Sequence, residues 1–334
     1  MTLDARRREP EPAEQLERVL RAEPLAIART LTQIEHRAPG IGRLLSQLHP
    51  STGRAHVLGI TGPAGSGKST LVTGLASAYR RAGRSVGILA VDPSSIYSGG
   101  AILGDRIRMS DLSGDTGVYI RSMATRGAMG GLSRAVLDGI TVLDAAGFDV
   151  VIIETVGVGQ AEVDVISVAH TVAVVSVPGM GDEVQAIKAG LLEIADVHVV
   201  NKADRPGADQ TVAEIREVLR LKPRKPFQWN VPIQQTVSAT GEGVDKLIER
   251  FDQHMAWMNE RGARTANERR NAATRIRWAA EELVLGRLRT GQGAFDEAVE
   301  AVVQRSTDPL SAARHLLGNH EPTSSSPKPT KRKP

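Results

Sequence analysis

The sequence predicts an α/β protein with a mostly parallel sheet and helical extensions at both ends. Three observations lead to this fold class. Short apolar runs alternate with helical stretches between residues 50 and 255, as in a parallel sheet that is covered on both faces. A glycine-rich segment directly follows the first of these runs, and the strand-like runs stop after residue 256. The 41% hydrophobic content is sufficient for a sizeable core.

The N-terminal residues 1–49 are expected to form a helical extension. Apolar residues recur at helical spacing over residues 13–48. Pro24 is expected to break the first helical segment, because proline does not continue a helix from within.

The predicted central domain, residues 50–255, contains seven apolar runs of strand length. They lie at 55–61, 86–91, 118–120, 150–153, 172–177, 197–200 and 233–237. Helical stretches lie between most of them, so we expect right-handed crossovers in a parallel sheet.

Residues 256–318 are predicted to form a C-terminal helical region. Two apolar stripes at helical spacing lie on either side of a break at 291–293. Ile276 and Leu283 belong to the first stripe, and Phe295 and Val299 belong to the second. These stripes either pack on the core or form a dimer interface. Residues 319–334, rich in serine, proline and lysine, are expected to be disordered.

The segment Gly-Pro-Ala-Gly-Ser-Gly-Lys-Ser-Thr at 62–70 fits the pattern of the loop that wraps nucleotide phosphates. Glycines let the backbone turn sharply and bring several N–H groups to one phosphate. Lys68 is expected to reach the β- and γ-phosphates, and Ser69 to hold Mg²⁺. An apolar run precedes this P-loop and a helical pattern at 71–82 follows it, so we predict a P-loop NTPase domain and not an idle glycine-rich turn. The predicted nucleotide contacts are Gly62, Pro63, Ala64, Gly65, Ser66, Gly67, Lys68, Ser69 and Thr70.

A second motif, Asn-Lys-Ala-Asp at 201–204, follows the apolar run at 197–200. A carboxylate at Asp204 can accept hydrogen bonds from N1–H and the 2-amino group of guanine. Adenine lacks that amino group, so the motif favours a guanine nucleotide and the domain is predicted to be a G domain. Backbone groups after the next strand are expected to contact the base. The predicted contacts of this part of the site are Asn201, Lys202, Asp204, Ser238, Ala239 and Thr240.

Three carboxylates are candidate metal ligands together with Ser69. Glu154 and Asp92 each end a predicted strand, and Asp105 lies in a polar segment soon after Asp92. Oxygen atoms at a sheet edge beside a phosphate loop are typical ligands of Mg²⁺. The alternative is that Asp92 caps the following turn and Asp105 caps a helix. Gly157, shortly after Glu154, is expected to donate its N–H to the γ-phosphate.

Two features bear on the rate of hydrolysis. Val158 stands where Ras-type GTPases carry a water-positioning glutamine, and Gln160 is offset, so we expect slow hydrolysis, at or below ~10⁻⁴ s⁻¹. A glycine-containing loop ends at Lys188, whose ammonium could swing toward the phosphates; a solvated loop is the equal alternative. The catalytic candidates are Lys68, Asp92, Asp105, Glu154 and Lys188.

Composition limits the function classes. The net charge of +4 derives partly from lysine and arginine in the last residues, so no nucleic-acid partner is expected. The absence of cysteine excludes disulfides, zinc–thiolate sites and thiol catalysis, and it fits a reducing cytoplasm. We expect no signal peptide and no membrane-spanning segment, and therefore a cytoplasmic protein without a membrane partner.

Taken together, these motifs resemble those of the MeaB/ArgK family of P-loop GTPases, over residues 15–315. The stretches that carry the resemblance are Asp-Pro-Ser-Ser at 92–95, Gly-Gly-Ala-Ile-Leu-Gly-Asp-Arg-Ile-Arg-Met at 99–109, Arg-Ser-Met-Ala-Thr-Arg-Gly at 121–127, Glu-Thr-Val-Gly-Val-Gly-Gln at 154–160, Val-Pro-Gly-Met-Gly-Asp-Glu at 177–183 and Asn-Lys-Ala-Asp at 201–204. The chain departs from the family pattern at Ile96-Tyr97, Ala128 and Ala161.

The resemblance implies a homodimeric GTPase that binds GTP or GDP with Mg²⁺ and dimerises through residues 256–318. It also implies a partner, adenosylcobalamin-dependent methylmalonyl-CoA mutase, whose cofactor loading the GTPase gates and which it protects from inactivation. Its magnesium and switch positions fall on Ser69, Asp92, Asp105 and Glu154, and an additional switch falls on the loop that ends at Lys188. The alternatives are a P-loop ATPase or kinase linked to amino-acid transport and a metal-insertion GTPase.

Overall fold

The computed structural model describes residues 12–92, 112, 114–124, 134–155, 168–179, 194–221, 228–290 and 292–318. The chain forms two compact units, Met1–Asn271 and Ala272–Pro334. No helix within the described ranges is both long enough and apolar enough to cross a membrane.

A seven-stranded sheet is the centre of the first unit. Its strands are β1 (His56–Thr61), β2 (Val86–Asp92), β3 (Val118–Ala124), β4 (Val150–Glu154), β5 (Thr171–Ser176), β6 (Val197–Asn201) and β7 (Ile233–Thr236). All pairings between neighbours are parallel, in the order β3-β2-β4-β1-β5-β6-β7. Each of the seven predicted runs is a strand, and the predicted α/β fold class is confirmed.

Helices surround this sheet and extend the chain at both ends. The helices of the first unit are α1 (Pro12–Leu20), α2 (Pro24–Glu35), α3 (Ile41–Leu48), α4 (Lys68–Arg81), α5 (Arg134–Ala145), α6 (Ala208–Leu221) and α7 (Val244–Glu260). Helix α8 (Ala263–Thr290) begins in the first unit and continues into the second, which also contains α9 (Gln292–Val303) and α10 (Pro309–Leu316). The predicted break at Pro24 is present, and the proline itself starts α2, because the first helical turn has no need of its N–H.

The core forms because the strands are apolar on both faces. Leu71, Leu75 and Tyr79 of α4 and Phe251 of α7 are fully buried against one face of the sheet. Side chains alternate across a strand, so Leu89 of β2 belongs to the other face.

Helix α5 packs closely on that other face. A Cβ atom on Gly139 of α5 would lie 3.1 Å from Leu89 Cδ1, 3.2 Å from Met123 Sδ and 3.4 Å from Leu31 Cδ2. The glycine therefore permits close packing among α5, the sheet and α2. An ion pair also joins helix α2 to the sheet. The Arg121 guanidinium on β3 donates to the Glu35 carboxylate and, at 3.2 Å, to Thr32 Oγ1.

A chain of polar groups, buried except for the half-buried Asp196, lies at the amino edge of the sheet. His56 Nε2 is 2.8 Å from Thr171 Oγ1, which is 2.9 Å from His254 Nδ1. His254 Nε2 is in turn 3.4 Å from Asp196 Oδ1. Burial lowers the pKa of His254 to about 4 and likewise that of His170 to about 4. Burial also lowers the pKa of His56 well below its usual range and raises that of the Asp196 carboxyl to about 7.

These shifts predict that acid destabilises the first unit. The three histidines are neutral when folded and take up protons on unfolding below pH ~6.5, whereas Asp196 acts in the opposite sense, losing its proton on unfolding. The net uptake is about two protons near pH 5, so the free energy of unfolding should fall by roughly 3 kcal/mol for each pH unit of acidification there. Urea denaturation at pH 6.5, 5.5 and 5.0 measures this slope. His170→Gln should reduce this slope, whereas the exposed control His36→Gln should leave it unchanged. Stability that stays constant on acidification would contradict the conclusion that these histidines are neutral in the folded protein.

Candidate functional site

The glycine-rich segment at 62–70 lies at the carboxyl edge of the sheet, next to its central strand. It connects β1 with α4. Strand β1 lies between β4 and β5. After β1 the chain continues to β2 on the β4 side of the sheet, whereas after β5 it continues to β6 on the opposite side. This reversal of strand order opens a crevice at the carboxyl ends, where open α/β sheets bind ligands.

Two glycines determine the path of the loop. Gly62 has φ 141°, and a Cβ atom there would lie 2.2 Å from the carbonyl oxygen of Val175 on β5. Gly67 has φ 86°, and its Cβ would lie 2.5 Å from Asn201 Nδ2. No side chain fits at either position, so the loop packs directly on β5 and on the end of β6.

Gly62→Ala is expected to destabilise the protein by about 3 kcal/mol or more, because the added methyl meets backbone that cannot move independently. Gly65→Ala is the matched control: Gly65 also has a positive φ, 76°, but nothing lies within 4 Å of its Cβ position. We expect only the backbone cost of about 1–2 kcal/mol there. Thermal or urea unfolding compares the two, and equal losses would show that the close approach to Val175 is unimportant.

Lys68 lies folded over its own loop. The side chain is buried, and its ammonium donates to the carbonyl oxygens of Gly62 at 2.8 Å and Pro63 at 2.9 Å. Lys68 is also the first residue of α4, so the positive end of the helix dipole points to the same place. The loop thus assembles a cation, backbone N–H groups and a helix N-terminus, which together attract phosphate.

Ser69 and Glu154 meet beside the loop. The Ser69 hydroxyl donates to Glu154 Oε1 at 2.5 Å, and Glu154 is buried at the end of β4. The next residue, Thr155, anchors this strand end by donating from its hydroxyl to Thr61 Oγ1 at 3.0 Å. A hydroxyl and a carboxylate oxygen in contact are a donor set that suits Mg²⁺, which takes few protein ligands and completes its shell with water and phosphate. Within the described ranges, no three histidine, aspartate or glutamate side chains come together as a metal site.

Asn201 and Lys202 support the loop from the neighbouring strand end. Asn201 Nδ2 donates to the carbonyl of Ser66 at 2.9 Å, while its Oδ1 accepts from Ser238 Oγ at 2.6 Å and from Thr236 Oγ1 at 3.2 Å. Lys202 Nζ donates to the carbonyl of Gly65 at 2.8 Å, and Lys202 itself has a left-handed backbone with φ 55°. Such a conformation is costly for a lysine and persists where the surroundings enforce it. The sequence did not predict that Asn201 and Lys202 support the loop. Asn201 and its partner Ser66 lie 135 residues apart, and a contact at that separation leaves no local pattern in the sequence.

The predicted base-binding residues lie together on the outer side of these contacts. Asp204 is exposed in the turn after β6, and Ala239 and Thr240 are exposed in the turn after β7. The two turns are joined because the N–H of Ala203 donates to the carbonyl of Thr236 at 3.0 Å. The exposed carboxylate-bearing turn and the exposed turn after β7 are therefore neighbours at the carboxyl edge.

The remaining predicted residues are placed only in part or not at all. Asp92 ends β2 at the same carboxyl edge, with its backbone paired to Ala124 of β3. Asp105, Gly157 and Lys188 lie outside the described residues, and the roles predicted for them stay predictions.

A parallel sheet with a phosphate loop after its central strand, and with an Asn-Lys-Ala-Asp turn bonded to that loop, defines a P-loop GTPase. The comparisons with known proteins specify the class further. The family described as "Methylmalonyl Co-A mutase-associated GTPase MeaB" matches residues 27–293. The chain belongs to this MeaB family, and the predicted family and GTPase activity are confirmed.

Relatives and a solved structure cover most of the chain. A protein of Pyrococcus horikoshii that is named as a GTPase is 45% identical over 306 residues, 91% of this chain and 96% of the relative. The Mus musculus protein named methylmalonic aciduria type A homolog, mitochondrial, is 37% identical over 193 residues, 57% of this chain and 46% of the relative. A crystal structure described as an LAO/AO transport system kinase matches with a TM-score of 0.67 and 26% identity, covering 93% of this chain and 99% of the other.

Proposed function

We propose that this GTPase is a chaperone of an adenosylcobalamin-dependent methylmalonyl-CoA mutase, gating the loading of its cofactor and protecting it from inactivation. The observation that carries the proposal is the family match over residues 27–293, because the family is described by its association with that mutase. The name of the mouse relative, which refers to methylmalonic aciduria, agrees with it.

Within this function, we assign the P-loop residues to the phosphates of GTP. Lys68 would exchange its two carbonyl partners for β- and γ-phosphate oxygens, and the N–H groups of the loop would bind the β-phosphate. Asp204 would accept from the guanine edge, with backbone groups at 238–240 beside the base. Asn201 and Lys202 would hold the loop in position for the phosphates and for the base.

Ser69 and Glu154 are proposed to hold Mg²⁺, with Asp92 and Asp105 as further candidates and Gly157 as a donor to the γ-phosphate. When bound, the ion neutralises charge on the phosphate oxygens. The hydrogen bond between Ser69 and Glu154 is the observation that supports the assignment. Equilibrium binding of GDP with and without Mg²⁺ tests it: Glu154→Gln should remove most of the dependence on the ion.

We further propose that the chain is a homodimer through residues 256–318. Apolar side chains on α8 and α9 remain exposed in the single chain, among them Ile276 at 70%, Leu283 at 69% and Phe295 at 40%. Apolar surface of this kind is usually covered by a partner. Sedimentation equilibrium of the full chain tests the stoichiometry.

Binding to the mutase is tested directly with purified proteins. The immobilised full chain is loaded either with GDP or with a non-hydrolysable GTP analogue, and the mutase of the same organism is titrated onto each form. Nucleotide-dependent binding is expected, and Lys68→Ala should lose the difference between the two forms. Equal or absent binding in both forms contradicts a nucleotide-gated chaperone.

A transport-linked kinase is the second candidate, because the solved relative is described as an LAO/AO transport system kinase. This role would require transfer of the γ-phosphate to an acceptor. Incubation with γ-³²P-GTP and γ-³²P-ATP distinguishes the two: a chaperone releases inorganic phosphate from GTP, whereas a kinase labels a protein or a small molecule.

The proposed partner is also expected to accelerate hydrolysis, and Lys188 is the candidate group for this effect. We expect Lys188→Ala to lower the mutase-stimulated rate far more than the basal rate, because positive charge at the γ-phosphate stabilises the transition state, an effect worth ~10³–10⁵ for an arginine finger. Single-turnover hydrolysis with and without the mutase measures both rates. Full stimulation in the variant would mean that the partner supplies its own catalytic group or acts through Gln160.

A further inference from the structure

A second polar pocket, of about 470 Å³, lies in the first unit at the amino edge of the sheet. We call it the amino-edge pocket. Arg54 precedes β1, His56 begins β1, Arg84 lies in the turn before β2, and Arg264 lies at the start of α8; all four line the pocket. The phosphate loop is at the opposite, carboxyl edge. The amino-edge pocket is therefore separate from the nucleotide site, and its size is typical of small-molecule sites.

The pocket carries an excess of positive charge. Three arginines line it against two aspartates, and both aspartates already have partners. Asp252 accepts from Arg84 at 3.0 Å, and Asp149 accepts from the N–H and the hydroxyl of Ser85 at 2.7 and 2.8 Å.

The arginines differ in what they already bind. Arg264 donates to Glu268 at 2.8 Å and to the carbonyl of Gly53 at 2.8 Å. The Arg54 guanidinium, which is exposed, makes no ion pair or hydrogen bond with any residue in the described part of the chain. A cation at the rim of a pocket whose acids are engaged is available to an anionic ligand.

One ring nitrogen of His56, Nδ1, is a second polar group that the described residues leave available. Its side chain is only 4% exposed, and it lines the pocket. Nε2 is engaged by Thr171, whereas Nδ1 has no hydrogen-bond partner among the described residues. Burial, with the positive charge of nearby Arg84, lowers the pKa of His56, so the ring is neutral and offers a hydrogen bond without charge.

The rest of the lining is partly apolar. Phe148, Met255 and Ala256 line the pocket with the charged groups, so a ligand meets carbon surface as well as guanidinium groups. The combination suits a compact molecule in which a carbon skeleton carries an anionic group and, beside it, a group that hydrogen-bonds to imidazole.

We propose that the amino-edge pocket binds a small organic anion, a carboxylate or phosphate ester of a few carbon atoms with a neighbouring hydroxyl or amino group. Arg54 binds the anionic group, with Arg84 and Arg264 contributing to the positive field. His56 Nδ1 bonds the neighbouring polar group. The proposal depends neither on the mutase nor on the assignments at the phosphate loop.

Calorimetric titration of the full chain tests the proposal after saturation with GDP and Mg²⁺, so that the phosphate loop is already filled. The probes are glycerol 3-phosphate, malate and inorganic phosphate. At least one of the two organic anions should bind with a Kd below about 1 mM and more tightly than inorganic phosphate, which lacks the neighbouring hydroxyl. The tighter of the two identifies the ligand as a phosphate ester or a carboxylate.

Two variants locate the binding. Arg54→Ala removes the available cation, and Ala256→Glu places a carboxylate in the pocket from the exposed side of α7. Each should weaken the binding of that probe by about 10- to 100-fold, the usual effect of losing a charged hydrogen bond. Two variants of α7 outside the pocket are the matched controls. Arg250→Ala also removes an arginine, and Gln253→Glu also introduces a carboxylate; both should leave Kd unchanged.

The outcomes separate the pocket from the nucleotide site. GTP turnover and melting temperature of Arg54→Ala protein should equal those of the wild type. Weaker anion binding by this variant would then not be due to misfolding. Two results would overturn the proposal: no saturation of the GDP-loaded protein by either organic anion at about 10 mM, or binding that is equal in all variants.

Discussion

Lys68→Ala is expected to abolish GTP hydrolysis and to weaken GTP binding while the protein stays folded. The Lys68 ammonium is a buried cation at the phosphate loop, 2.8 and 2.9 Å from two of its carbonyl oxygens. Removing one well-placed donor to a developing negative charge typically costs about 10²–10³ in rate. We expect at least this loss here, because the ammonium carries a full charge in a buried position.

Single-turnover hydrolysis and nucleotide titration measure the two effects, and thermal melting verifies the fold. Lys246→Ala is the matched control, since Lys246 is an exposed lysine of α7. It should behave as wild type in all three assays. Normal GTP turnover by folded Lys68→Ala protein would refute the assignment of the phosphate loop.

Asp204→Asn is expected to change the base preference from guanine to xanthine. The carboxylate accepts from N1–H and the 2-amino group of guanine, whereas an amide can donate to the 2-oxo group of xanthine. Loss of these partners should cost GTP binding a few kcal/mol, or about a hundredfold or more in affinity. The fold should tolerate the change, because Asp204 is exposed in its turn.

Competition of GTP and XTP against a fluorescent guanine nucleotide measures the change. Asp245→Asn is a suitable control, because it removes an exposed carboxylate of α7 whose partner is Arg81. That variant should retain the preference for GTP. If Asp204→Asn protein keeps its GTP affinity and gains none for XTP, the base is recognised elsewhere.

The structure adds a reason why the Asn-Lys-Ala-Asp segment and the phosphate loop work as one unit. Asn201 and Lys202 donate to the carbonyls of Ser66 and Gly65, and Asn201 also accepts from Ser238 in the next turn. A displacement of any of these segments therefore moves the other two. In the proposed site, the base and the phosphates of one nucleotide would contact a single hydrogen-bonded assembly.

The sequence by itself determined the fold class and the family, and it predicted that the candidate site residues lie at strand ends. Seven apolar runs became seven parallel strands, and the helix pattern at 71–82 became part of α4. These features are readable because they are local: burial on both faces requires continuous apolar runs, and a phosphate loop requires glycines at fixed spacing. Parallel strands place their carboxyl ends at one edge, so Lys68, Glu154 and Asn201 were predictable neighbours.

Only the tertiary structure decided how distant groups pair. The Ser69–Glu154 hydrogen bond, the contacts of Asn201 and Lys202 with the loop, and the ion pair of Arg121 with Glu35 join residues far apart in the chain. The same holds for the amino-edge pocket, whose arginines come from three separate segments. Hydrogen bonds and ion pairs depend on distances of a few ångströms. The separation of two residues along the chain does not give their distance in space, which is fixed only when the strands and helices have packed.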